Sequence, residues 1–120
     1  MDQNRIPPQR MEVWYADLPL TENSSIQGGH RPVLIISNNI CNEVNNVITV
    51  VPMTHQLKRL ALPMHVVIEA PDGGDSLVLV EQIITIDKKI LNGRLGKIKR
   101  NDKRAVEAAI REHLGIVKTN

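Results

Sequence analysis

The chain has 120 residues, a length that fits one domain and is enough to bury a single hydrophobic core. Hydrophobic residues make up 42% and charged residues 23%, which excludes a disordered chain. A formal net charge of +2 and a pI of about 8.9 are mildly basic, so a polyanionic partner is permitted without being required.

Trp14 and Tyr15 are the only aromatic residues. The core must therefore come from Val, Ile and Leu, which favours strands, and base stacking on aromatic platforms is excluded as the main mode of nucleic-acid binding. The single cysteine, Cys41, excludes an internal disulfide and fits a reducing compartment. The N-terminal segment is polar, and no apolar run has the length of a secretion signal or a membrane span. The expectation is a soluble cytoplasmic protein with no membrane role.

In chain order, Met1 to Gln9 carry two prolines and no apolar pattern, so residues 1–10 read as a flexible arm and residues 11–117 as one domain. "MEVWYADL" (Met11–Leu18) reads as a strand. The polar stretch "PLTENSSIQGGH" that follows is long for a hairpin connection, a length common in binding loops. "PVLIIS" is too continuously apolar to have one wet face and reads as a buried strand. An Asn-rich turn, with room for a helical turn, leads to "VITVVPM", where Pro52 marks an edge or a bulge. After a second polar loop carrying Lys58 and Arg59, "PMHVVIEA" and "SLVLVEQI" read as strands joined by the hairpin "PDGGD". "TIDKKILNGRLGKI" mixes a helical turn with a last short strand. Ala105, Val106, Ala109, Ile110 and Leu114 then recur at helical spacing, with Asn101 as the expected N-cap and Gly115 as the stop. The result is a small, mostly β barrel closed by one amphipathic helix.

The chemistry concentrates in "IQGGHRPVLIIS". Arg31 opens a buried strand, so the sheet holds its backbone while its planar fork stays at the rim, where it suits phosphate oxygens. Gly28 and Gly29 just before it allow close approach to a ligand. On this motif alone, an ordinary ion pair between Arg31 and a surface carboxylate serves as well. His30, His55, His65 and His113 are scattered and Cys41 completes no ligand spacing, so no metal site is expected.

"VWYADL", "QGGHRPVLIIS", "VVPMTHQ", "LPMHVVIEA" and "SLVLVEQIITIDKKIL" resemble, in order and approximate spacing, the MazF/PemK (Kid) family of toxin–antitoxin endoribonucleases. The resemblance runs from Glu12 to Ile116. It implies an SH3-like barrel of the CcdB/PemK type, a homodimer, and sequence-selective, metal-independent cleavage of single-stranded RNA (mRNA) without a cofactor. It also implies neutralisation by a cognate MazE-like antitoxin whose C-terminal segment lies across the RNA groove, with operator DNA reached only through the antitoxin complex. By match to the family motifs, Arg31 and Thr54 are carried over as catalytic residues.

Such chemistry uses the substrate's own 2′-OH as nucleophile and leaves 2′,3′-cyclic phosphate and 5′-OH ends. The protein has to orient the attack, move protons and stabilise phosphoryl charge. Arg31 suits the charge, and the Thr54 hydroxyl suits a non-bridging oxygen or the 2′-OH. Gln27, Gly28 and Gly29 are expected to shape a loop over the RNA. His30 and His55 are either acid–base groups or loop histidines touching solvent or RNA. Gln82 either reads a base edge or bonds a neighbouring loop. Ser76 serves either catalysis or its turn.

Two positions depart from the family pattern. Ile26 stands where relatives commonly carry glutamate, and Ile84 where they commonly carry arginine. Loss of an interacting pair would leave no unpaired charge, but it also removes a candidate proton acceptor, with His30 or Glu81 as replacements. A weakened family member that binds RNA or antitoxin without efficient cleavage, and a CcdB-like gyrase poison, are the alternative functions.

Overall fold

The computed structural model describes residues 6–116. Residues 1–5 of the expected arm lie outside that span, as does the expected domain limit at residue 117. Within residues 6–10, the Gln9 amide donates to Glu12 Oε1 at 2.9 Å. The Arg10 guanidinium donates to Glu107 Oε2 at 2.8 Å and to the Ile36 carbonyl at 3.1 Å.

Seven strands are formed: β1 (Glu12–Leu18), β2 (Gly29–Ile35), β3 (Val47–Thr54), β4 (His65–Glu69), β5 (Asp75–Leu79), β6 (Ile84–Asp87) and β7 (Leu91–Lys97). Helix α1 (Asn39–Val44) lies between β2 and β3, and α2 (Arg100–Leu114) follows β7. All pairings are antiparallel, in the order β4-β5-β3-β2-β1-β7, with β6 also on β3. The mostly β architecture with a C-terminal helix is as expected. Closure is not: among the described residues no pairing joins β4 to β7, and the sheet is open.

The continuous apolar runs of β2 and β3 are explained by burial on both faces. Leu34, Val51 and Met53 pack in one layer with Val13, Ile68, Val78 and, from α2, Val106 and Ala109. Their neighbours Val33, Ile35, Ile48 and Val50 pack in a second layer with Ala16, Leu18 and Ile86. Alternate side chains point to opposite faces of a strand, and here neither face is wet.

β3 also changes partner along its length. Val47–Val50 pair with β6, whereas Met53 and Thr54 pair with β5. Pro52 falls in the interval between these two ladders, where a residue without an N–H is tolerated. The proline marks neither an edge nor a bulge. It marks the point where one strand passes from one part of the sheet to the other.

Three local expectations shift for tertiary reasons. β2 begins at Gly29, before Pro32, because Gly29, His30 and Arg31 pair with Leu18, Asp17 and Ala16 of β1. "SLVLVEQI" does not continue as a strand: β5 ends at Leu79 and Val80–Gln82 form a 3-10 turn, with the buried Val80 amide donating to the Met64 carbonyl at 3.1 Å. Helix α2 starts at Arg100 with Lys99 as N-cap and no side-chain cap, and not at Asn101. Its entry is held by tertiary contacts, Asp102 accepting from the Glu69 amide at 3.0 Å and Lys99 pairing with Glu69 at 2.9 Å. Gly115 ends the helix in the left-handed conformation, as expected.

Glu12 is only 3% exposed and joins β1, β7 and the preceding segment. Its carboxylate accepts from Trp14 Nε1 at 3.0 Å, the Gln9 amide at 2.9 Å and Arg94 Nε at 2.6 Å. Burial pushes the Glu12 carboxyl up, but the bonds from Trp14, the Gln9 amide and Arg94, with the Arg94 charge, outweigh it and hold it below its ordinary value. Such a group stabilises the fold above its unfolded-state pKa, and that contribution is lost as pH falls through the lower folded value. Glu12→Gln is expected to cost roughly 2 kcal/mol at neutral pH and much less in acid, where the native carboxyl is itself protonated. Denaturant titrations at both pH values measure this; an equal cost at both would show that the charge contributes nothing.

Candidate active site

Thr54 ends β3 and Arg31 sits near the start of β2, and the β2–β3 pairing places both on the wall of one groove of about 630 Å³. The 19–28 loop forms one bank through Leu20, Ser24, Ser25, Ile26, Gln27 and Gly28. Lys58 and Arg59 contribute from the 55–64 loop, His65 from β4, Leu77 and Leu79 from β5, and Glu81 and Gln82 from the 3-10 turn.

Arg31 is held by backbone and not by an acid. Its Nε donates to the Gly28 carbonyl at 2.9 Å and its Nη1 to the Met53 carbonyl at 3.3 Å. Among the described residues none of Arg31, Lys58 and Arg59 lies within ion-pair distance of a carboxylate. The ordinary ion pair is therefore not what Arg31 makes. Two carbonyls orient the guanidinium, leave its full charge uncompensated, and keep the other donors of the fork for a ligand. The Thr54 hydroxyl accepts from the Gln56 amide at 3.2 Å, which leaves its own proton to donate.

The loop over the groove is built by three devices. A Cβ on Gly28 would stand 2.4 Å from the Pro19 carbonyl oxygen, so the close approach that needs glycine here is to the chain's own backbone and not to a ligand. Gly29 has φ +82°, which β2 requires to begin there. The third device is Gln82: its Oε1 accepts from the Gln27 amide at 2.7 Å and its Nε2 donates to the Ser25 carbonyl at 3.0 Å. Its amide thus ties the loop to the 3-10 turn, the neighbouring-loop role, while Gln82 also lines the groove.

His30, His55 and Ser76 do not line the groove. His30 follows strand alternation to the face opposite Arg31, where its Nδ1 meets Asp17 Oδ1 at 2.7 Å and its ring stacks on Tyr15 with centroids 4.9 Å apart. His55 Nδ1 faces the Asp75 carbonyl at 3.2 Å and Ser76 Oγ at 3.3 Å. Ser76 is buried, 1% exposed, and so serves the β5 turn region. Ile26 and Ile84 also separate: Ile26 is an exposed groove residue, whereas Ile84 packs against the second core layer. The two positions thus differ in environment, one at the groove and one against the core.

In place of those histidines, the fold brings His65 and Glu81 to the groove. His65 Nε2 lies 2.8 Å from Glu81 Oε2, and its Nδ1 lies 3.0 Å from the Arg59 carbonyl. Arg59 adopts φ 54°, the left-handed region that a non-glycine residue enters at a cost. Glu81 Oε1 is buried and has no hydrogen-bond partner among the described residues. In the sequence His65 is one of four scattered histidines; its place at the head of an edge strand beside a polar loop was the available signal. Among the described residues no cluster of three or more His, Cys, Asp or Glu side chains could hold a metal ion, and no helix is long and apolar enough to cross a membrane.

Comparison with known proteins agrees with this geometry. A family described as PemK-like, MazF-like toxin of type II toxin–antitoxin system matches residues 9–114. The chain is 37% identical over 112 residues to Endoribonuclease EndoA of Bacillus subtilis (strain 168), covering 91% of this chain and 96% of that protein. It is similar to an endoribonuclease solved in complex with its cognate antitoxin from Mycobacterial species, with TM-score 0.77, 25% identity and coverage of 93% of this chain and 99% of that one. MazF (Form-I) from Deinococcus radiodurans superposes with TM-score 0.78 at 24% identity, covering 93% of this chain and 100% of that one.

The role of Gln82 is open to measurement. Gln82→Ala removes both ties to the 19–28 loop and is expected to speed hydrogen exchange of the Gln27 amide roughly tenfold, the scale of one net hydrogen bond. Unchanged exchange at Gln27 would show that the loop is held by other contacts.

Proposed function

Because the chain belongs to the PemK-like, MazF-like toxins of type II toxin–antitoxin systems, we propose that it is an endoribonuclease that cuts single-stranded RNA in the groove beside Arg31. The observation that carries this is the Arg31 guanidinium, held by two backbone carbonyls, unpaired with any carboxylate among the described residues, and directed into a groove that Thr54 shares. A cation so placed is organised before the substrate arrives, which is what electrostatic stabilisation of a transition state needs.

An RNA strand enters the open groove along Lys58, Arg59 and Arg31, which meet its phosphates. The 2′-oxygen next to the cut attacks phosphorus, and negative charge builds on the non-bridging oxygens. Arg31 meets that charge with its remaining N–H donors, and the Thr54 hydroxyl donates to a non-bridging oxygen or holds the 2′-OH in line. The 5′-oxygen leaves, and the products are a 2′,3′-cyclic phosphate and a 5′-hydroxyl. The nucleophile belongs to the substrate, so the protein's contribution is orientation, charge and proton movement. The chain works as a homodimer and is restrained by a cognate antitoxin, in line with the antitoxin complex of the Mycobacterial relative. An antitoxin segment with acidic residues suits the same uncompensated cations.

The weakened-binder and gyrase-poison functions are not favoured. Replacement of charge at Ile26 and Ile84 leaves Arg31 and Thr54 in place, and the curated relative is an endoribonuclease.

Arg31→Ala is expected to lower cleavage of a long single-stranded RNA by roughly two orders of magnitude or more, with the fold retained. Unchanged cleavage by the folded variant removes Arg31 from the mechanism. Cleavage by the wild type is expected to persist in excess chelator, and an RNA with a 2′-deoxy sugar at the cut site is expected to resist. Cutting of that deoxy substrate contradicts attack by the 2′-oxygen.

A further inference from the structure

Cleavage by a 2′-oxygen needs somewhere for its proton to go, and the groove offers few places. Among the residues that line it, Glu81 is the only carboxylate and His65 the only histidine. The glutamate that relatives commonly carry before the loop glutamine is Ile26 here, and His30 and His55 stand outside the groove. The other charged groups facing Glu81's groove are cations: Arg31 from β2, and Lys58 and Arg59 from the 55–64 loop.

The hydrogen bonds of His65 constrain where protons sit. A carbonyl only accepts, so the Nδ1 that faces the Arg59 carbonyl carries a hydrogen. Nε2 then either donates to an ionised Glu81 or accepts from a protonated one. The pair holds one proton between a histidine that is almost fully buried and a carboxylate whose side chain is about one-third exposed, 33%. Oε1 is buried, whereas Oε2, which meets only His65 among the described residues, has a second lone pair with which an ionised Glu81 could accept a further proton.

We propose that Glu81 accepts the 2′-OH proton during cleavage and that His65 positions its carboxylate, an inference that rests on the nuclease reading above. As the proton passes to the Glu81 carboxylate, the 2′-oxygen forms its bond to phosphorus and the bond from phosphorus to the 5′-oxygen breaks. The 5′-oxygen leaves with that electron pair and takes a proton from water in the open groove. The proton on Glu81 then returns to solvent. Glu81 is the catalytic residue in this step, and His65 is a positioning residue that acts through it.

The test is steady-state cleavage of one defined RNA by the full chain across the neutral pH range, with binding of the 2′-deoxy analogue measured in parallel. Glu81→Gln keeps the size of the side chain and removes the base. It is expected to lower kcat about a hundredfold or more, to leave KM and analogue binding unchanged, and to make the remaining rate rise in proportion to hydroxide. His65→Ala is expected to lower kcat less, and His65→Gln, which can still donate to Glu81, to recover most of the loss. A folded Glu81→Gln protein with wild-type kcat and pH profile overturns the proposal, as does a defect confined to KM and analogue binding. Should Glu81→Gln not fold, Glu81→Asp is measured instead; a tenfold or larger fall in kcat with the pH profile retained is expected, and an unchanged kcat overturns the proposal equally. A wild type that cuts RNA and depends on Arg31, beside an insensitive Glu81→Gln, refutes only this inference. A wild type that cuts no RNA refutes the nuclease reading and this one with it.

Discussion

β3 is buried on both faces and must change partner partway along, from β6 at its first half to β5 at its last two residues. The rest of the structure follows from that passage. It turns one run of aliphatic residues into the shared spine of two core layers. It also delivers Thr54 and the Met53 carbonyl to the place where β2 begins. Arg31 is oriented by that carbonyl, so the guanidinium's direction is a property of the β2–β3 ladder and not of its own flexible side chain. Close packing on both faces means that a volume change within β3 is transmitted to the groove wall.

Holding an arginine with carbonyls in place of carboxylates has an electrostatic consequence. A carboxylate neighbour would fix the side chain equally well, but it would compete with phosphate for the same charge. Backbone dipoles provide direction without that competition. Lys58 and Arg59 are likewise without carboxylate partners among the described residues, so the groove concentrates positive charge on a chain whose net charge is only +2. Outside the groove, Arg94 pairs with Glu12 and Arg10 with Glu107.

The bank opposite β4 depends on contacts distant in sequence. Gln82 reaches back to the amide of Gln27 and the carbonyl of Ser25, while Gly28 lies against Pro19 too closely for any side chain. The same 3-10 turn that carries Gln82 also carries Glu81 to His65. A bend of three residues thus serves both the loop and the proton-holding pair.

Much of this protein was legible in the amino-acid sequence, because hydrophobic period, turn residues and local motifs are short-range properties. The strands, the "PDGGD" hairpin, the helix stop at Gly115 and the groove pairing of Arg31 with Thr54 all followed from residues within a few positions of one another or from motifs in register. What the sequence did not determine involves partners far apart in the chain. Whether the sheet closes depends on its edges meeting, and β4 and β7 do not meet. The start of α2 at Arg100 depends on Asp102 and Lys99 finding Glu69. His30 and Arg31 are adjacent in sequence yet face opposite ways, because a strand alternates its side chains. His65 and Glu81, sixteen residues apart, are in hydrogen-bond contact because the bend after β5 brings them together. Composition and pattern determined which elements form and which residue types are available for chemistry; only the packing of distant elements decided which of those residues meet, since a contact between remote residues is set by the whole sheet and by no local stretch of it.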